Sequence, residues 1–275
     1  MTCDATLDRD PAVLRDLAVD IADAAADLLA DRLDDERSDV STKSTGTDMV
    51  TEMDAASERL IVDRIRSARP DDEIIGEEGA SVLGTSGVRW VIDPLDGTTN
   101  YLYRLPGWNV SIGVEVDGTP VAGAVVVPST ADRFAAALRH GATRNGRPIG
   151  VPAPAPLATA LVGTGFSYEA AVRERQAANV STLIGRVRDI RRFGAAAADL
   201  CSVACGRLDA YVESGLAPWD HCAGSVIARE AGAVVEIIDD HPLPGTLVIA
   251  VHPGRRDEFV TLLRDAGIVH PADPD

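Results

Sequence analysis

The stretch WVIDPLDGTTNY, residues 90–101, carries an apolar, strand-like run into two aspartates set on either side of a proline. Pro94 cannot donate to a sheet ladder, so the strand is expected to end about there, and Gly97-Thr98-Thr99 can open a tight turn with exposed backbone N–H groups. Asp93 and Asp96 therefore fall at a strand-to-helix mouth. Such N–H groups attract anions whereas carboxylates repel them, and both suit one place if a hard cation lies between the carboxylates and a ligand. Oxygen donors select magnesium, manganese or calcium. Taken alone, the pattern has an ordinary explanation, with Asp96-Gly97 as a turn and Asp93 as a helix cap. Two further segments change the balance. Gly76-Glu77-Glu78-Gly79 ends a short apolar strand with adjacent carboxylates, and Trp219-Asp220 opens a helix after Ala217-Pro218. Asp220 by itself is accounted for by the helix dipole, but three acidic strand or helix ends in one chain are not.

GEEG (76–79), WVIDPLDGTTNY (90–101), RRFGAAAADL (191–200) and APWDHCAG (217–224) resemble, in order, the signature segments of the inositol monophosphatase family, magnesium-dependent and lithium-sensitive sugar-phosphate phosphatases. The resemblance runs from about Lys43 to Val235 and implies an α/β (α+β) fold, a layered αβαβα sandwich. It implies two to three Mg2+ per site, bound by Glu77, Asp93, the backbone carbonyl of Leu95, Asp96 and Asp220. Glu77, Thr98 and Asp48 take the catalytic roles. Asp48 matches the acid that hydrogen-bonds the motif threonine, Thr98, and with Glu77 orients the attacking water; Lys43 matches a lysine near the outer metal. The phosphate is cradled by the Gly97 and Thr98 N–H groups, and Asp96, Gly194, Ala196, Glu213 and Asp220 line the pocket for the sugar ring, with Glu213 on ring hydroxyls. The segment Gly163-Thr164-Gly165-Phe166-Ser167-Tyr168 faces the pocket by position. His221 follows a ligand directly, yet its place on a helix turns it about 100° away, and it reads as structural.

This chemistry has a physical reason. A phosphate monoester dianion repels nucleophiles and hydrolyses extremely slowly, so its charge must be neutralised and hydroxide supplied near neutral pH. Divalent cations do both. Without them the carboxylates repel one another, and the Gly/Ser/Thr-rich link 79–87 is expected to loosen and act as a mobile flap. The resemblance implies myo-inositol monophosphate as substrate. Fructose 1,6-bisphosphate, histidinol phosphate and adenosine 3′,5′-bisphosphate, substrates of related phosphatases, are the alternatives. The rival from another class is a metal-dependent regulatory or binding module that has lost turnover, as in bacterial relatives associated with RNA polymerase. A homodimer is expected by resemblance.

Composition agrees with a small-molecule enzyme. At 275 residues the chain can bury a sizeable core, and a net charge of −17 disfavours nucleic acid. Arg186, Arg188, Arg191 and Arg192 form the longest basic cluster and read as a strand with one solvated face. The four cysteines, among them Cys201 and Cys205 on one helix face, suit a reducing compartment and lack zinc-ligand spacing. With neither an apolar leader nor a bilayer-length apolar run, a soluble, cytoplasmic protein without membrane partners is expected.

Local signals give the element order. Asp10-Pro11 followed by Leu14, Leu17, Ala18, Ile21, Ala25 and Leu28 reads as an N-capped first helix. Thr51 with Asp54 resembles a capping box for a second helix that ends before Pro70. Residues 73–76, 88–92, 110–116 and 121–127 then read as a mostly antiparallel sheet, with Asp117-Gly118 and Asn145-Gly146 as hairpin turns. The proline-spaced stretch 150–156 places an internal boundary, giving an N-terminal α+β half, 1–150, that carries most ligands and a C-terminal half, 151–275, that completes the site. Helices over 169–183, 194–205, 220–231 and 255–266 alternate there with strands over 161–163, 187–190, 209–213, 234–238 and 247–251.

Overall fold

Asp10 caps the first helix as its sequence requires, its carboxylate accepting from the Ala12 N–H at 2.8 Å with Pro11 in the first turn. The computed structural model of the chain describes residues 9–33, 40–42 and 49–270. Helix α1 (Pro11–Asp31) buries Leu14, Ala18, Ile21, Ala25 and Leu29 along one face, and α2 (Glu52–Ala68) does the same with Met53, Ile61 and Ile65. Both lie on one side of an eight-stranded sheet. A strand pair β1 (Val40–Thr42) and β2 (Met49–Thr51) precedes it. The sheet itself contains β3 (Glu73–Gly76), β4 (Ser81–Val82), β5 (Val88–Asp96), β6 (Asn109–Val116), β7 (Thr119–Val127), β8 (Asp132–Ala137), β9 (Gly141–Arg144) and β10 (Arg147–Ile149), in the order β10-β9-β8-β7-β6-β5-β3-β4. Every pair is antiparallel except β3 with β5. The five-residue helix α3 (Thr98–Leu102) follows β5.

Beyond the proline-rich connector come β11 (Leu161–Thr164), α4 (Ala170–Leu183), β12 (Asp189–Arg191), α5 (Ala196–Ala204), β13 (Ala210–Leu216), α6 (Pro218–Glu230), β14 (Val234–Ile238), β15 (Thr246–Val251) and α7 (Arg256–Asp265). Their five strands form a second sheet, β12-β11-β13-β15-β14, in which β11 runs parallel to both neighbours. Helices α5 and α6 fill the space between the sheets, while α7 and the end of α4 cover the outer face of the second. The result is the expected five-layer αβαβα stack. The middle layer is seated by bare backbone. A Cβ at Gly113 of β6 would lie 2.9 Å from Cys222 Cβ, and one at Gly123 of β7 would lie 2.6 Å from the Ala223 carbonyl. Helix α6 thus approaches the first sheet more closely than any side chain there would permit.

The structure departs from the sequence reading in two places that matter. Strand β5 does not end at Pro94 but continues to Asp96 through a bulge, pairing Asp93 with Ser111 and then Asp96 with Asn109. Pro94 sits in the bulge, where no ladder N–H is required, and its carbonyl accepts from Ser57 Oγ of α2 at 2.8 Å. Strands β8 and β9 and the short β10 extend the sheet through a stretch in which the sequence reading assigned only the Asn145-Gly146 turn. Both two-residue turns are hairpins with positive φ, 49° and 77° at Asp117-Gly118 and 52° and 73° at Asn145-Gly146. No described helix is long and apolar enough to cross a membrane.

Candidate active site

The bulge in β5 turns both of its aspartates toward the space between the two sheets. Asp93 is 1 % exposed and accepts the Leu95 N–H at 3.0 Å. Asp96, 8 % exposed, accepts at 2.9 Å both from Asn109 Nδ2 and from the Ala197 N–H at the start of α5. Its other carboxylate oxygen makes neither bond and is left for the cleft. Asp220 comes from the first turn of α6, where its carboxylate accepts the Ala217 N–H at 2.6 Å. Glu77 follows β3 directly. Parallel pairing of β3 with β5 lays the Glu77 end of one strand beside the aspartates at the end of the other, with the Glu77 N–H on the Ile92 carbonyl at 3.2 Å.

Glu77, Asp93 and Asp220 each offer a carboxylate oxygen within 4.8 Å of the others. Three hard, anionic donors at that spacing fit a divalent cation such as Mg2+. Uncompensated, each such pair repels by on the order of 3 kcal/mol at an effective dielectric near 20. Burial pushes the Asp93 carboxyl well above its ordinary range, and Glu77, Asp96 and Asp220 push it further. Asp220 is raised well above its usual value by burial, which the Ala217 N–H offsets only in part. Asp96 is raised to about 7, chiefly by burial, against the hydrogen bonds from Asn109 and Ala197. A cation is what would let these acids ionise together.

These carboxylates belong to one cleft of about 300 Å³, and Leu95, Gly97, Thr98, Gly194, Ala196 and Glu213 line it with them. Gly97 has φ 86°, and a Cβ on it would stand 3.3 Å from the Gly194 carbonyl and from Trp108 Cα, so the turn after β5 requires glycine. The opposite wall is the loop carrying Phe166, Ser167 and Tyr168, with the exposed Arg192 beside it. Gln176 of α4 fixes that loop: its Oε1 accepts the Ser167 N–H at 2.9 Å, and its Nε2 donates to Ser214 Oγ at 3.2 Å.

Lys43 and Asp48 lie outside the described residues. Among the described residues, an acid that meets Thr98 is Asp54, whose Oδ1 accepts from Thr98 Oγ1 at 3.3 Å, the same hydroxyl lying 3.2 Å from the Leu95 carbonyl. Reading Asp54 as half of a capping box hid this role. Its signal was available, because Asp54, Ser57, Ile61 and Ile65 share one helical face and all four are buried. A carboxylate on the core face of an amphipathic helix requires a partner.

A model of the inositol monophosphatase family matches residues 10–266. An inositol-1-monophosphatase of Mycobacterium bovis is 42 % identical over 279 residues, covering 94 % of this chain and 95 % of its own. A protein of Escherichia coli K12 named Nus factor SuhB is 38 % identical, covering 80 % of this chain and 83 % of its own. The solved structure of the inositol monophosphatase from Anabaena superposes with a TM-score of 0.78 at 34 % identity, over 92 % of this chain and 96 % of that one.

Proposed function

Because the chain belongs to the inositol monophosphatase family, we propose that it hydrolyses myo-inositol monophosphate to inositol and phosphate, using Mg2+. The observation that carries this is the convergence of Glu77, Asp93 and Asp220 on one point beside the Gly97-Thr98 turn. These three, with Asp96 and the Leu95 carbonyl, would hold two to three ions. Bound there, the ions would offset the charge of the phosphate and make hydroxide available near neutral pH.

The protein's own groups do the rest. Thr98 directs its hydroxyl hydrogen toward Asp54 and the Leu95 carbonyl, which leaves its oxygen as an acceptor for the attacking water. Asp54 shares the orienting part with Asp48, and Glu77 accepts the water's second hydrogen. The N–H groups of Gly97 and Thr98 bind phosphate oxygens, held in place by the left-handed turn at Gly97. Asp96 is locked between Asn109 and Ala197 so that only one face of its carboxylate meets the cleft. Gly194 and Ala196 at the start of α5, with Glu213 and Asp220, form the floor for the ring. Glu213 accepts from ring hydroxyls. The same reading carries a cytoplasmic homodimer whose turnover is inhibited by lithium.

Phosphate release from myo-inositol 1-phosphate, fructose 1,6-bisphosphate, histidinol phosphate and adenosine 3′,5′-bisphosphate, each with and without Mg2+ and Li+, tests the proposal. Fastest Mg2+-dependent turnover of the inositol ester is expected, and preference for another ester would reassign the substrate. A second reading comes from the E. coli relative named a Nus factor. Absence of release from every ester in the presence of Mg2+ would favour it.

A further inference from the structure

Gly163 in β11 and Gly165 just beyond the end of that strand, beside β13, have no use for glycine's conformational freedom, since neither has a positive φ. What they provide is room. A Cβ on Gly163 would lie 2.7 Å from Leu208 Cδ1 and 3.2 Å from the Tyr211 ring, and one on Gly165 would fall within the carboxyl group of Glu213. The register explains this pairing: Gly163 stands opposite Tyr211 and Thr164 opposite Val212, so the next step brings Gly165 to Glu213. Tyr211 and Glu213, also two apart, project from the same face of β13 over the bare backbone of the two glycines.

Tyr211 is 0 % exposed, and its ring packs in the core between the sheets. A tyrosine hydroxyl so placed requires a partner, and it donates to Glu213 Oε2 at 2.7 Å. That bond fixes one oxygen of a carboxylate that lines the cleft. We infer that Tyr211 is a positioning residue for recognition of the substrate's ring hydroxyls, holding Glu213 in place through its hydroxyl over the glycine platform of Gly163 and Gly165. This rests on the phosphatase reading and extends it, since it makes selectivity for a polyhydroxylated ring depend on a hydroxyl that never touches the substrate.

Tyr211→Phe removes one oxygen and leaves the packing in place. A hydrogen bond to a charged group contributes about tenfold or more in an equilibrium, so the KM for myo-inositol 1-phosphate is expected to rise about tenfold at nearly unchanged kcat. Kinetics with p-nitrophenyl phosphate, which has no ring hydroxyls, should stay within about twofold. Glu213→Ala should show the same selective loss, and adding Tyr211→Phe to it should cost nothing more. Gly165→Ala should displace Glu213 and reproduce the pattern. Equal losses on both esters in Tyr211→Phe, or an additive double variant, would overturn the inference while leaving the phosphatase intact. If the unaltered chain releases no phosphate from either ester with Mg2+, the phosphatase reading fails and takes the inference with it.

Discussion

Asp93 and Asp132 are buried in the same eight-stranded sheet, 1 % and 2 % exposed, and their surroundings are opposites. Asp132 at the start of β8 receives Arg144 Nε at 2.6 Å, Arg207 Nη1 at 2.6 Å and the Thr130 hydroxyl at 2.8 Å. Burial would raise its carboxyl, but those three hydrogen bonds prevail and hold it below the ordinary range. Asp93 receives a single backbone N–H and faces three other acids, so burial and repulsion act together and raise it. The first arrangement is complete within the chain. The second is not: no cation of the chain is among the groups that set it, as fits a cluster that could hold a metal ion.

The contrast can be broken most severely at Asp93 itself. Asp93→Asn keeps the shape and removes a ligand charge, so Mg2+-dependent phosphate release should fall at least about a thousandfold while the metal-free protein becomes more resistant to urea. A metal-free variant less stable than its parent would mean that Asp93 is compensated within the chain after all. Asp54→Asn should cost about a hundredfold in kcat, because the Thr98 hydroxyl loses its charged acceptor, with the Mg2+ concentration for half-activation unchanged. A shift in that concentration would make Asp54 part of the metal site instead.

The pH dependence sharpens the comparison. Asp96 binds its proton more tightly folded, at about 7, than its ordinary 3.8. Its contribution to stability is therefore fully present below about pH 4 and lost as pH rises through about 7. Metal-free protein should lose on the order of 3 kcal/mol between pH 5 and 8 in urea unfolding, and saturating Mg2+ should flatten the slope. Asp132, lowered in the folded state, acts with the opposite sign and only below about pH 4, so it leaves that window untouched. The smallest effect is expected at Asp132→Asn. Both arginines keep access to solvent, so the loss should be about 2 kcal/mol of stability, with kcat per folded molecule unchanged.

The same contrast explains what could be read from sequence. Glu77, Asp93, Asp96 and Asp220 stood out because carboxylates at the ends of apolar runs break the pattern around them. Asp132 did not, for Asp-Arg in an alanine-rich stretch looks like surface, and only folding brings Arg207 from 75 residues away. The order of helices and strands was legible because period-2 and period-3.6 segments alternate clearly, while the layered stack was implied by the family resemblance. The passage of β5 through Pro94 was not, since a bulge depends on the partner strand and not on the residues that form it. Asp54 failed for a third reason: one local motif accounted for it fully, and the contact to Thr98 spans 44 positions.

Helix α6 has one end in the cleft and its flank in a notch of the first sheet, where Cys222 and Ala223 rest on Gly113 and Gly123. The two are mechanically joined. A single methyl added at either glycine would push the helix outward and carry Asp220 with it, moving one wall of the cleft from a position outside its lining. The proposed ion site thus depends on two glycines of the first sheet that no inspection of the cleft lining would pick out.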